Sequence, residues 1–138
     1  MPRVQSNTEA KTTPEQSLEV ADRLFKAIER GDVAAIRDIY APNAKIWHNN
    51  DGLTQTVDAN LAVLGWVVAN ILELAYTEVR RHPTPTGFVQ QHVMRGRLKS
   101  SGKEFVLPAC IICDVEHGRI TRLDEYLDSA HTAVLRQG

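Results

Sequence analysis

The 138-residue chain lacks most features that mark a specialised protein class. It has only two cysteines, Cys110 and Cys113, too few for a disulfide scaffold. They lie three apart in an apolar, strand-like run, which places them on opposite faces, where they are poorly placed to pair. The spacing matches the CxxC redox and zinc pattern, but no second pair or nearby histidine completes a tetrahedral site. We therefore predict buried free thiols and a cytoplasmic location.

Neither an excess of one charge nor a long apolar run is present. Sixteen basic and seventeen acidic residues give a net charge of −1 without a basic run, so nucleic acid and anionic lipid are not expected partners. The longest apolar stretch, Leu61 to Leu72, is broken by Gly65 and Asn70. We therefore predict neither a membrane span nor a signal peptide.

What is present is typical of an ordinary globular domain. The hydrophobic fraction is 43% and the charged fraction 24%. Residues 1–12 are polar and aperiodic, so we expect a flexible N-terminal tail. The remaining length, residues 13–138, suits one domain.

Helix signals fill the first half of the chain. Thr13, Pro14 and Gln16 form a capping box with proline at the first helical position, and apolar spacing carries this helix to Gly31. The other elements predicted in this half are a short helix capped by Asp32 and ended by Pro42, a strand over Ala44–Asn49 and a helix over Asp58–Ile71.

The second half is typical of strands. The predicted strands are Glu73–Arg81, Phe88–Leu98, Lys103–Val115 and a final, central strand over Arg119–Asp128, before a closing helix over Ser129–Arg136. Helices followed by a strand meander indicate an α+β fold. We predict a cone-shaped α+β barrel, with the N-terminal helices packed in the concave face of a curved, mainly antiparallel sheet.

Glu125 is the first candidate for chemistry. Strand alternation places Glu125 on the same face as Leu123 and Leu127. A carboxyl group among leucines either has its pKa raised by desolvation, and serves as an acid or base, or is an ordinary solvent-facing side chain.

The preceding strands supply a second set. Gln90, His92 and Met94 share one face, and such a mixture of polar and apolar groups is typical of a ligand pocket, although His92 could equally be a satisfied core histidine. Leu107 and Ala109 share an apolar face, and the small side chain of Ala109 leaves space there. The opposite face of their strand is also apolar, so we expect both faces to be covered.

A third set ends the first strand. Strand alternation places Trp47 and Asn49 on one face and His48 on the other. The alternative is that this stretch is only an aromatic residue at the edge of the core followed by a turn. Whichever of His48 and His92 reaches a cavity is the natural proton carrier. No HxH, HExxH, P-loop, GxSxG or GxGxxG pattern occurs, so we predict no metal and no cofactor.

These residues resemble a known family. The stretches that carry the likeness are Tyr40–Ala44, Trp47–Asn49, Gly118–Ile120 and Asp124–Asp128. They resemble the nuclear transport factor 2-like superfamily, most closely its SnoaL-like and ketosteroid isomerase-like branch, over Pro14 to Leu135. The resemblance implies a conical fold with a hydrophobic pocket and a homodimer formed through the outer face of the sheet.

The resemblance transfers unevenly to individual residues. Ketosteroid isomerases place a carboxylate base near the end of the first strand, where this chain has Trp47–Asn49. SnoaL-like polyketide cyclases resemble it at Gln90 and His92, but their fourth-strand aspartate falls at Ile111. The family's activity therefore does not transfer as a complete set of residues.

Limonene epoxide hydrolases give a further alignment. It places Trp47 at their tyrosine, Asn49 at their asparagine, His92 at their arginine, and Met94 and Glu125 at their two aspartates. Only Asn49 and Glu125 keep the chemical type.

We predict a cofactor-independent acid/base enzyme of isomerase, cyclase or hydrolase type. His92 and Glu125 would transfer protons on a small apolar molecule such as a steroid, polyketide or terpenoid. The alternative is a non-catalytic small-ligand-binding or dimerisation module of the same fold. The predicted substrate contacts are Trp47, His48, Asn49, Gln90, Met94, Leu107, Ala109 and Leu123.

Overall fold

Helices and one sheet make up residues 12–136, which a computed structural model describes. In chain order the elements are α1 Pro14–Glu29, α2 Val33–Ile39, β1 Tyr40–His48, β2 Thr54–Gln55, α3 Val57–Asn70, β3 Ile71–Pro83, β4 Gly87–Leu98, β5 Glu104–Glu116, β6 Arg119–Leu127 and a 3₁₀ helix Ser129–Arg136. Within this range no helix has the length and apolar character needed to traverse a lipid bilayer. The tail predicted over residues 1–12 lies outside the described residues except for Thr12, whose hydroxyl donates to the Val115 carbonyl over 2.9 Å.

The helix starts follow the predicted capping chemistry. The Gln16 N–H donates to Thr13 Oγ1 over 3.1 Å and the Thr13 N–H donates back to Gln16 Oε1 over 2.9 Å, so the capping box is confirmed. Gly31 follows the end of α1 and has a φ of 73°, a conformation that glycine adopts without strain. Asp32 Oδ1 accepts from the Ala35 N–H and begins α2 as predicted.

The predicted end of α2 is wrong. Pro42 does not end the helix, because α2 already ends at Ile39 and Pro42 lies within β1. The pairing of β1 with β6 shifts register between Tyr40 and Lys45, so Pro42 falls in the unpaired part of the ladder. A residue without an N–H is tolerated at that irregularity.

The sheet confirms the predicted α+β architecture. Its strand order is β2-β1-β6-β5-β4-β3, with β1 and β6 parallel and the other pairs antiparallel. The final strand is therefore central, as predicted. β3 shifts register twice along β4, and Glu73 and Glu78 have positive φ there, so bulges bend this strand and help to curve the unclosed sheet.

The core lies between the concave face of the sheet and the helices. Val20, Leu24 and Phe25 on the apolar face of α1 are buried against strand residues such as Phe88. Ile120 is also fully buried, although simple alternation places it opposite Leu123. A register shift between Asp114 and Val115 reorients the start of β6 and explains the difference.

Candidate active site

A cavity of about 360 Å³ opens between the helices and the concave face of the sheet. Most of its wall is apolar. The apolar side chains come from α1, α3, the 3₁₀ helix and the strands, and include Leu24, Ile28, Leu64, Met94, Phe105, Leu107, Ile111, Leu123 and Leu127. The polar side chains in the wall are Tyr40, His48, Asn50, Asp51, Gln55, Asn60, Tyr76, Glu125 and Thr132. A mostly apolar hollow with a few polar groups is the usual form of a small-molecule site.

His48 and Glu125 form an acid–base pair in this wall. The parallel register of β1 and β6 sets the two residues side by side, and His48 Nε2 lies 3.1 Å from Glu125 Oε1. The side chains are only 18% and 13% exposed. The hydrogen bond that His48 donates to Glu125 raises the pKa of His48. Burial lowers this pKa, and the negative charges of Glu125 and Asp51 raise it further. Because Nε2 faces the carboxylate, Nδ1 is the nitrogen left for a ligand proton.

Asn49 holds the β6 backbone between Glu125 and Leu127. Its N–H donates to the Glu125 carbonyl over 3.1 Å, and its Oδ1 accepts the Leu127 N–H over 2.8 Å. Asn49 itself is exposed and is not part of the cavity wall. Its role as a substrate contact stays a prediction, and the contacts it makes here are with the β6 backbone.

A second polar group in the wall links three elements. The Tyr40 hydroxyl donates to Asn60 Oδ1 over 3.3 Å, and Asn60 Nδ2 donates to Gln55 Oε1 over 3.3 Å. Burial raises the pKa of Tyr40, so its phenol stays protonated. The sequence reading missed this network. One signal could have revealed it. Asn60 shares a helix face with Val57 and Leu61, so a polar side chain lies on the buried side of α3.

His92 is buried behind the cavity wall. Its ring meets those of Tyr76 and Phe25 edge to face, with centroids 4.7 and 5.6 Å apart, and it is 4% exposed. Phe25 and Tyr76 line the cavity, whereas His92 does not. Of the two histidines between which the sequence left a choice, His48 is the one that reaches the cavity and contacts Glu125.

The other predicted contacts divide between the wall and its surroundings. Met94, Leu107 and Leu123 line the cavity. Gln90 is fully buried beside His92, and Trp47 packs on Tyr126 with ring centroids 5.3 Å apart. Ala109 lies instead along a groove that also contains Tyr126.

The thiols and other metal-binding groups add nothing to the site. Cys113 is buried as predicted, whereas Cys110 is only half-buried, and neither forms a disulfide. Burial raises the pKa of both thiols, which disfavours the reactive thiolate. Within residues 12–136, no three side chains of histidine, cysteine, aspartate or glutamate cluster in a way that could hold a metal ion.

Comparison with known proteins agrees with this architecture. Residues 21–123 match the model of the SnoaL-like domain. A comparison with curated proteins gives no match. A candidate polyketide cyclase of Xanthomonas campestris pv. campestris superposes with a TM-score of 0.78 at 18% identity, covering 89% of this chain and 98% of its own.

Two further solved structures share the fold. A candidate isomerase of Bacillus subtilis has a TM-score of 0.77 at 14% identity, over 90% of this chain and 94% of its own. An LEH-like epoxide hydrolase of M. tuberculosis has a TM-score of 0.73 at 11% identity, over 89% and 92%. At these identities the likeness establishes the fold alone. The family match spans most of the chain and confirms the predicted family, so this protein belongs to the SnoaL-like family.

Proposed function

We propose that the protein is a cofactor-independent enzyme that performs general acid–base catalysis on a small, largely apolar molecule. The observation that carries this proposal is the enclosed contact of 3.1 Å between His48 Nε2 and Glu125 Oε1 in the wall of the cavity. The proton-transfer pair is thus His48 and Glu125, with His48 in the role that the sequence suggested for His92.

The pair suits reactions that remove a proton and return it. His48 Nδ1 would accept a proton from an activated C–H group or from an attacking water, while Glu125 stabilises the imidazolium that forms. Asn60 and Gln55 each keep an amide N–H beyond the bonds they share, and these could hold a substrate oxygen. Isomerisation, cyclisation and epoxide hydrolysis all follow this scheme.

The cavity limits the substrate. About 360 Å³ lies near the lower end of the range for small-molecule sites, and the wall carries few polar groups. We therefore propose a compact steroid, polyketide fragment or terpenoid with one oxygen function near the acid–base pair.

The test is proton exchange and turnover on a defined panel. The wild-type protein is incubated in D₂O with a 3-ketosteroid, limonene epoxide and an aromatic polyketide ester, and NMR follows deuterium uptake and product formation. Glu125→Gln should lower the rate about 100-fold or more. Asp124→Asn, one residue away on the other face of β6, is the matched control. Equal rates in wild type and Glu125→Gln would refute the assignment.

The same panel distinguishes the non-catalytic alternative. A ligand that binds only the folded state raises the melting temperature according to its concentration and affinity. A clear rise with one panel compound, without exchange or turnover of it, would favour a small-ligand-binding module over an enzyme.

We further propose a homodimer formed through the outer face of the sheet. Val79, Ile112 and Tyr126 expose 41–46% of their surfaces, an unusual apolar concentration for strands. Sedimentation should give twice the 15.4 kDa chain mass. Ile112→Lys should yield monomers, whereas Leu53→Lys in the exposed turn before β2 should not. A monomeric wild-type protein would contradict the proposal.

A further inference from the structure

A buried chain of hydrogen bonds runs from the edge of the sheet to His92. Arg81 Nε on β3 donates to Gln90 Oε1 on β4 over 2.6 Å. Gln90 Nε2 lies 2.9 Å from His92 Nδ1. Gln90 is fully buried and His92 nearly so. The proposed acid–base step uses none of these three side chains.

The direction of this chain follows from donor chemistry. Arginine has only donors, so the Gln90 atom that faces Arg81 must be the carbonyl oxygen. The atom that faces His92 is then the amide NH₂, which can only donate. His92 Nδ1 must therefore be an unprotonated acceptor, and the ring proton must lie on Nε2.

The ring's other nitrogen makes no competing hydrogen bond. Among the buried side-chain nitrogen and oxygen atoms of residues 12–136, His92 Nε2 is the one without a hydrogen-bond partner. A second proton on Nδ1 would face the N–H of Gln90 and break the chain. The imidazolium form is thereby disfavoured by geometry as well as by burial.

We propose that Arg81, acting through Gln90, is a positioning residue that holds His92 neutral in its Nε2–H tautomer. His92 is then a hydrogen-bond donor beneath the cavity wall and takes no part in proton exchange, which is left to His48. This inference goes beyond the proposed function, because it concerns a group that the catalytic step does not use and can be measured without a substrate.

The charged groups on the sheet side of His92 act in opposite senses. The negative charge of Glu125 on β6 favours protonation, whereas the guanidinium of Arg81 on β3 disfavours it. Tyr76 on β3 stays neutral, since burial raises the pKa of its phenol further above its ordinary value. Burial of the ring is the largest effect, and the pKa of His92 is lowered overall.

The helix side adds support to Arg81. Phe25 on α1 packs on the His92 ring, and the Arg81 guanidinium lies over the same phenylalanine with its carbon 5.6 Å from the ring centre. Asp22 on α1 lies 3.8 Å from Arg81, and Glu29 accepts the backbone N–H of Tyr76. The contacts with Phe25 and Asp22 keep the arginine in place beside Gln90.

The experiment is imidazole ¹⁵N–¹H NMR of the full-length, ¹⁵N-labelled protein between pH 5.5 and 8.5. The signals of His92 are assigned by their absence from the spectrum of His92→Asn. The expected wild-type pattern has Nδ1 unprotonated and Nε2 protonated at every pH. A wild-type His92 in the Nδ1–H tautomer, or one that titrates like an exposed histidine, would overturn the proposal without any other variant.

Variants then test the part played by Arg81. Arg81→Met should allow the Gln90 amide to rotate and His92 to mix tautomers or titrate within the pH range, whereas Arg95→Met on β4 should leave the pattern unchanged. Gln90→Glu should move a proton to Nδ1 and bring the titration into the range. An unchanged His92 pattern in Arg81→Met would show that Arg81 does not set the tautomer.

Discussion

His48 and His92 lie on the cavity side of one sheet but have opposite surroundings. His48 meets a carboxylate across parallel strands, so its pKa is raised and its second nitrogen remains for a ligand. His92 meets an amide donor backed by Arg81, and its pKa is lowered, chiefly by burial. The hydrogen-bond partner of the ring, rather than the residue type, therefore decides which histidine can carry a proton.

The largest expected effect separates the two histidines by activity. With a substrate from the panel, His48→Gln should lower kcat about 100-fold to 10,000-fold, because the group that accepts the proton is lost. The ionisation that controls kcat/KM should vanish from the pH profile of His48→Gln and persist in that of His92→Gln. Its loss in His92→Gln alone would reverse the roles of the two residues.

The next largest effect is the loss of protein stability when the hydrogen bonds beside His92 are removed. Gln90→Leu leaves the partly buried Nε donor of Arg81 and the buried Nδ1 of His92 without partners, and it should lower the free energy of unfolding by about 1–3 kcal/mol in urea. Adding Arg81→Met should recover part of that loss, because the unpaired donor is removed with it. Additive losses in the double variant would mean that the two side chains are not coupled.

The fold was predictable where local chemistry decides it. The capping box at Thr13, the turn at Gly31 and the central position of β6 are confirmed, because each depends on neighbouring residues or on alternation along one strand. Pro42 and Ile120 were not predictable, since each position depends on a register shift against a distant strand. Alternation within a strand carries no information about such shifts.

The site was predictable in part for the same reason. Alternation along β6 indicated that Glu125 shares a face with two leucines, and both leucines line the cavity with it. The partner of Glu125 depends on the parallel register of β1 and β6, which places His48 beside it. The distance of His92 from the cavity depends on how Phe25 and Tyr76 pack over it, and no single-strand pattern reports that.

The pH dependence of stability should have opposite signs at the two histidines. The raised pKa of His48 stabilises the fold fully below its unfolded value of about 6.5, and this contribution is lost as pH rises through the folded pKa. The lowered pKa of His92 costs stability as pH falls from about 6.5 through its folded value. The stability difference between wild type and His48→Gln should therefore shrink with rising pH, and that for His92→Gln should grow. Neither slope should exceed about 1.4 kcal/mol per pH unit, the limit for one proton. Slopes of the same sign in urea titrations from pH 5 to 8.5 would contradict the comparison.

The smallest expected effect is that of Asn49→Ala, which should loosen the region around His48 and leave the surroundings of His92 unchanged. Asn49→Ala removes the acceptor for the Leu127 N–H, an exposed bond that water can replace, so unfolding should become easier by about 0.5–1.5 kcal/mol. Asn49→Asp keeps the acceptor oxygen and should restore most of that loss, and Asn43→Ala on the same strand should change stability by less than about 0.5 kcal/mol. Because the Asn49 side chain holds the β6 backbone two residues beyond Glu125, Asn49→Ala should alter the pH titration of His48 in the imidazole spectra and not that of His92. Equal changes at both histidines would mean that the sheet relaxes as a whole, and that the two environments are not independent.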